Sequence, residues 1–201
     1  MRINRYRLHS GQLPLLPIFL AGVLTGILTI NFGKSILLES TGLLDEYTLY
    51  HMKYMTVDSS ALFYYILGLR VKSFLLLVIF ATTYLGLLVC IGTAFGYGFS
   101  TGAFLSVLLI RYGLKGILFA VLSIFPQWIL YVPALVALLL WCERLNRSIY
   151  FKSGMAIEAE GYSHMPKRLL QLGGIFLMFL LGCIAESFMN PNIMKWLLGF
   201  F

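Results

Sequence analysis

The sequence predicts an all-α polytopic membrane protein: a helix bundle of about five transmembrane helices, one of them broken by prolines. Three observations carry this. Of 201 residues, 60% are hydrophobic and only 11% are charged. Mean hydropathy is +0.88. The apolar residues also gather into runs long enough to cross a bilayer. Globular chains carry about a quarter charged residues, and water does not hold a monomer of this composition. In hydrocarbon every backbone polar group must be paired within its own segment, so an apolar run of about 20 residues becomes a helix across about 30 Å.

The first span covers 13–32, entered through Pro14 and Pro17 and closed by Asn31, Gly33 and Lys34. It follows Arg2, Arg5 and Arg7, the layout of a signal peptide. Its apolar run is long and no small-x-small cleavage site follows, so it reads as an uncleaved signal anchor. Residues 33–73 read as a membrane-surface loop, too short and too rich in Leu, Tyr and Met for an independent domain. Two short helices fit there, 43–55 and 61–69, the second following the cap candidates Asp58, Ser59 and Ser60. Tyr47, Tyr50, Tyr54, Tyr64 and Tyr65 suit the interface, where ring and hydroxyl both find solvent. Packing at the membrane surface is their first reading and a partner-docking face the second.

The second span is 74–95, after Arg70 and Lys72. The third, 96–110, is glycine-rich and ends at Arg111, Tyr112, Gly113 and Lys115. The fourth, 114–141, would be about 42 Å if straight, too long for one perpendicular span. Pro126 and Pro133 lie inside it. A proline removes a donor and clashes with the preceding turn, which predicts a break or sharp kink around Pro126-Gln127-Trp128. Residues 114–125 are then either a re-entrant half-helix or a second short span. A loop, 142–168, and a fifth span, 169–188, entered through Lys167 and Arg168, complete a single membrane domain of 1–201.

Charge chooses the orientation. With five spans, Arg2, Arg5, Arg7, Arg144, Arg147, Lys152, Lys167 and Arg168 share one side, eight of the fifteen basic residues. The positive-inside rule makes that side cytoplasmic, with the N-terminus inside and the C-terminus outside. A sixth complete span would put the basic N-terminus and the basic loop on opposite faces. The loop's net positivity also suits anionic headgroups of the lipid bilayer. Basic residues dispersed at span ends, without a nucleic-acid fold, argue against nucleic acid as a partner.

Chemistry-bearing residues are sparse. His9, His51 and His164 lie in separate segments without Cys or acidic neighbours at ligand spacing, so no metal site is expected. Cys90, Cys142 and Cys183 form no CxxC pair and read as small apolar residues with free thiols. Ser100 and Ser106 have no His on a neighbouring span to activate them. No phosphate loop occurs, and neither a catalytic residue nor a cofactor is expected. Glu186 is the acidic residue within an apolar span, and an intramembrane carboxylate marks either a function or a paired contact. Arg111 and Lys115, on the same outer side, are its expected partners. Gly22 and Gly26, like Gly98 and Gly102, have GxxxG spacing, which lets helices approach closely. Packing within the bundle is the first reading of that spacing, and a homo-oligomer face is the second. Gly113, Gly116, Gly173 and Gly174 extend the glycine signal.

Several short motifs recur in an ordered series: Arg70-Val71-Lys72-Ser73-Phe74; Phe95-Gly96-Tyr97-Gly98-Phe99-Ser100-Thr101-Gly102; Arg111-Tyr112-Gly113-Leu114-Lys115-Gly116; Phe125-Pro126-Gln127 through Pro133-Ala134; and Ala185-Glu186-Ser187-Phe188 to Pro191. In order and spacing, from Ala61 to the end, the chain resembles the stage II sporulation protein M family. Each motif is short and degenerate; their order is the specific part. The wider family often has a His after the first proline and a Glu before the second, where this chain has Gln127 and Tyr131. The resemblance implies a non-enzymatic scaffold in the septal membrane during endospore engulfment. Its implied partners are sporulation proteins D and P, two membrane-anchored peptidoglycan-degrading enzymes that it would recruit or hold. The residues alone leave a second class open, a small transporter or permease-like subunit with a site at Pro126, Gln127, Pro133 and Glu186.

Overall fold

The computed structural model describes residues 13–33, 58–150 and 165–198, and within them every element is a helix. In chain order these are α1 (Leu15–Phe32), α2 (Ser59–Ala81), α3 (Gly86–Tyr150), α4 (Met165–Phe188) and α5 (Asn190–Leu198). Five helical stretches are long and apolar enough to cross a membrane, the architecture of a multi-pass membrane protein. Their outer surfaces are apolar too: Leu16, Leu20, Leu24 and Leu28 form an exposed row along α1, at the four-residue spacing that keeps one helix face toward lipid. The expected helix at 43–55 and the three histidines lie outside the described residues.

α3 is a hairpin. A straight helix of its 65 residues would run about 98 Å, yet Gly86 at its start lies against the Asn146 amide near its end. The reversal is at Gly113, whose φ of 59° and ψ of −140° leave the helical region. A Cβ there would meet nothing within 4 Å, so conformation and not space selects glycine. Beyond the turn, Gly116 rests on the backbone of Leu108, and Leu108, Phe119 and Ala120 form a buried cluster between the two limbs, 86–112 and 114–150.

The boundary expected between 110 and 114 is therefore present, but the proline break is not where it was expected. Residues 124–128 are helical, and Gly113 is the position of non-helical dihedrals in α3. Residues 114–125 are neither a re-entrant half-helix nor a separate span; they are the first part of the second limb. A proline costs one ladder bond there. The helix persists because its faces are fixed on both sides of Pro126, by Phe119 and Ala120 before it and by Tyr131, Ala134 and Leu138 after it.

The second and third spans also shift. The expected span 74–95 straddles a turn at Thr82–Leu85, and the true span, α2, begins fifteen residues earlier at Ser59. Asp58 caps it as the sequence suggested, its carboxylate accepting from Ser60 N at 2.9 Å and Ala61 N at 3.4 Å. The turn closes because Thr82 and Thr83 donate their hydroxyls back to Ile79 O (2.7 Å) and Phe80 O (2.8 Å). Polar side chains of the second limb then bind the carbonyls that α2 leaves over. Asn146 Nδ2 donates to Ala81 O (3.1 Å) and Thr83 O (2.6 Å), and Tyr150 donates to Thr82 O (2.9 Å). The third span, expected over 96–110, becomes the first limb, starting at Gly86.

The same stretch of the second limb anchors α1. Glu143 is buried, and its Oε1 accepts from the backbone N–H of Leu13 at 2.7 Å and from Arg147 Nε at 2.9 Å. Trp141 Nε1 donates to Arg168 O at the start of α4 (3.1 Å). Leu13, the α2–α3 turn, residues 141–150 and the start of α4 therefore meet at one end of the bundle, called the basic end below. That is the shared side the five-span charge argument requires. At the opposite end α5 packs Ile193 and Met194 against the hairpin tip.

α1 runs parallel to the first limb, locked to it by the two GxxxG pairs. A Cβ on Gly22 would enter the Phe95 carbonyl, one on Gly26 the Phe99 carbonyl, one on Gly98 the Phe19 carbonyl and one on Gly102 the Val23 carbonyl. The spacing thus serves packing within the bundle. Gly92, on the same limb, has open space where a Cβ would stand. Gly98→Leu should therefore lower stability by about 1–3 kcal/mol through overpacking, and Gly92→Leu should leave it within about 0.5 kcal/mol, as measured by denaturant unfolding in detergent micelles.

Candidate functional site

Arg70 is the central residue of α2, a helix of 23 residues whose other members are mostly apolar. A lone arginine at mid-span opposes insertion by about 2.5–3.5 kcal/mol, so this helix needs a counter-charge from a neighbour. α4 supplies it. Arg70 Nη2 lies 3.3 Å from Glu186 Oε2 and 3.5 Å from Oε1. The second limb supplies a third group: the Arg70 guanidinium carbon stands 4.5 Å from the centroid of the Tyr131 ring, within the range of a cation–π contact.

Tyr131 also binds the carboxylate. Its hydroxyl donates to Glu186 Oε2 at 2.7 Å, and the Cys183 sulfur lies 3.4 Å from the Tyr131 hydroxyl oxygen. A phenol has one proton, and the shorter, charge-assisted bond takes it. The Cys183 thiol, one helical turn before Glu186, is left to donate to the phenol oxygen. Tyr131 reaches this point because Gly182 makes room for its ring: a Cβ on that glycine would stand 2.5 Å from the ring edge. Phe74, Phe176 and Phe179 close the apolar side, with Phe74 edge-on to both of the others. Tyr97 of the first limb lies within electrostatic reach of Arg70.

The expected site residues are thus brought together only in part. Glu186 is at the centre, but its partners are Arg70 and Tyr131 and not Arg111 and Lys115, which flank the Gly113 turn at the hairpin tip. Gln127 stands one turn before Tyr131 on the same limb; it is buried, and its Oε1 has no hydrogen-bond partner among the described residues. Pro133 faces outward. Gly98 and Gly102 are given over to α1. Reading Arg70 and Lys72 as flanking charges hid both the helix and the site. The Asp58 cap and the Thr82-Thr83 turn were the signals that would have centred a span on Arg70. All three cysteines are free and buried, as read from their spacing. No three His, Cys, Asp or Glu side chains cluster among the described residues.

Chemically the arrangement is a neutral, internally satisfied ion pair that ties the middle of α2 and the second limb to the last turn of α4. Comparison with family models, with curated proteins and with solved structures finds no match for this chain. Removing one partner leaves a charge unpaired, so Arg70→Met should destabilise the protein by about 3 kcal/mol. The double variant Arg70→Met, Glu186→Met should recover most of that loss, and Tyr131→Phe should cost about 1 kcal/mol. A double-mutant cycle from detergent unfolding curves measures the coupling.

Proposed function

We propose that this protein is a non-enzymatic membrane scaffold of endospore engulfment, a member of the stage II sporulation protein M family. In this reading it holds sporulation proteins D and P, the peptidoglycan-degrading enzymes, at the septal membrane, with its N-terminus cytoplasmic and its C-terminus outside. The observation that supports the reading is where the family-like motifs fall in the fold. Arg70 and Glu186, drawn from two of them, meet in one ion pair. Gly98 and Gly102 seat α1, and Gly113 with Gly116 forms the hairpin turn. The motifs are employed in assembling a rigid bundle, as suits a protein whose task is to present surfaces. Deleting the gene should block engulfment and scatter fluorescently tagged D and P from the septum; hydrolases that still localise normally would sink the scaffold reading.

A transporter reading retains one specific support, the buried carbonyl of Gln127, which has no partner among the described residues, one turn from the Tyr131–Glu186 bond. An unsatisfied acceptor at mid-span can bind a passing polar group. Purified protein in liposomes should show ion or solute flux that Glu186→Gln abolishes if this is the function; on the scaffold reading no flux is expected above empty liposomes.

A further inference from the structure

At the basic end, the last turns of the second limb and the first turns of α4 diverge around a cavity of about 260 Å³ lined by Trp141, Arg144, Leu145, Lys167, Arg168 and Gln171. Two bonds hold its walls: Trp141 Nε1 to Arg168 O at 3.1 Å, and Arg168 Nη1 to Ser148 Oγ at 3.3 Å. Three of the six lining side chains are cationic, although the surface that lines the cavity is mainly apolar. Among the described residues, neither Arg144 nor Lys167 has a carboxylate partner; the ion pairs there are Arg70–Glu186 and Arg147–Glu143. The other lining groups are of another kind. Trp141 and Leu145 give an apolar wall, and Leu169 and Leu170, just beyond Arg168, are exposed on α4.

We propose that this cavity binds the phosphodiester headgroup of an anionic phospholipid, with the acyl chains lying along α4. The volume is below the roughly 300–1,000 Å³ of pockets that enclose a whole drug-sized ligand; it holds a headgroup and leaves the tails in the bilayer. Cations from the two helices that flank the cavity can engage one phosphate together, and arginine matches its oxygens in a forked geometry. The site opens at a membrane surface, where a tryptophan is suited to the headgroup level. A free phosphate would satisfy the cations and leave the apolar wall and the exposed Leu169 and Leu170 without a role. The inference does not depend on the scaffold reading, because it rests on the cavity alone.

The test uses the full chain in phosphatidylcholine vesicles containing a minor fraction of spin-labelled phosphatidylglycerol or spin-labelled phosphatidylcholine. The fraction of motionally restricted probe gives the lipid preference. The wild type should favour phosphatidylglycerol, and each pocket cation removed should lower that preference about fivefold, from about 1 kcal/mol per basic residue near a charged surface. Arg144→Gln and Lys167→Gln are the test variants. Lys195→Gln, which removes a charge from α5 at the opposite end of the bundle, should leave most of the preference intact. In the wild type itself, raised salt should weaken the preference only in part, because a pocketed pair is screened less than a surface charge. Equal affinity for the two lipids overturns the proposal. So does an effect of Lys195→Gln equal to that of Arg144→Gln, which would assign the preference to diffuse charge, or complete competition by inorganic phosphate, which would assign the cavity to a soluble anion.

Discussion

Arg70 and Glu186 make each other tolerable in the interior of the bundle, and the arrangement of three helices follows from keeping them together. Without a hydrophobic drive between helices in lipid, association rests on close packing and polar contacts. The pair fixes the depth at which α2 and α4 stand relative to each other, since a one-turn slide of either would part the charges by about 5 Å. Tyr131 adds the second limb to the same level, using the ring face for the guanidinium and the hydroxyl for the carboxylate. The aromatic contacts of Phe74 with Phe176 and Phe179 then pack what the charges have aligned.

The remaining joints use different physics. α1 carries no charge in its helical span and is held by shape, glycine against backbone carbonyl over two turns, supplemented by Asn31 Nδ2 donating to Ser106 Oγ at 3.2 Å. At the basic end the second limb satisfies the loose ends of its neighbours: Glu143 takes an N–H of the chain entering α1, while Asn146 and Tyr150 bind carbonyls leaving α2. A buried helix end must find such partners, and here one helix face provides them for two others. The second limb is therefore the hub of the bundle, touching the middle of α2 and the last turn of α4 and fixing α1 at its foot.

The fold class was readable because hydropathy is summed over whole segments, and α1 was readable because its flanks are unambiguous. The GxxxG spacings told correctly that helices meet there, though not which helices. Misreading came where one residue type has two meanings. Arg70 was taken as a flank since a charge most often ends a span, and its partner Glu186 is 116 positions away in the chain, beyond any local pattern. Proline was weighted above glycine as a breaker, yet packing on both sides held the helix through Pro126 while Gly113 supplied the dihedrals of a reversal. α5 was not foreseen, because its nine residues lie below the length at which a hydropathy run reads as a span.

The parallel course of α1 and the first limb has a consequence for assembly. Antiparallel neighbours such as the two limbs of α3 can enter a bilayer as a pair, already in contact across a tight turn. Parallel neighbours cannot, because the chain must cross once more between them. The seam between the Phe95 and Phe99 carbonyls and the glycines of α1 therefore closes only after the two helices have crossed separately. Closure of that seam marks completion of the bundle, and until then the same glycines offer any other helix of matching shape the surface that α1 will occupy.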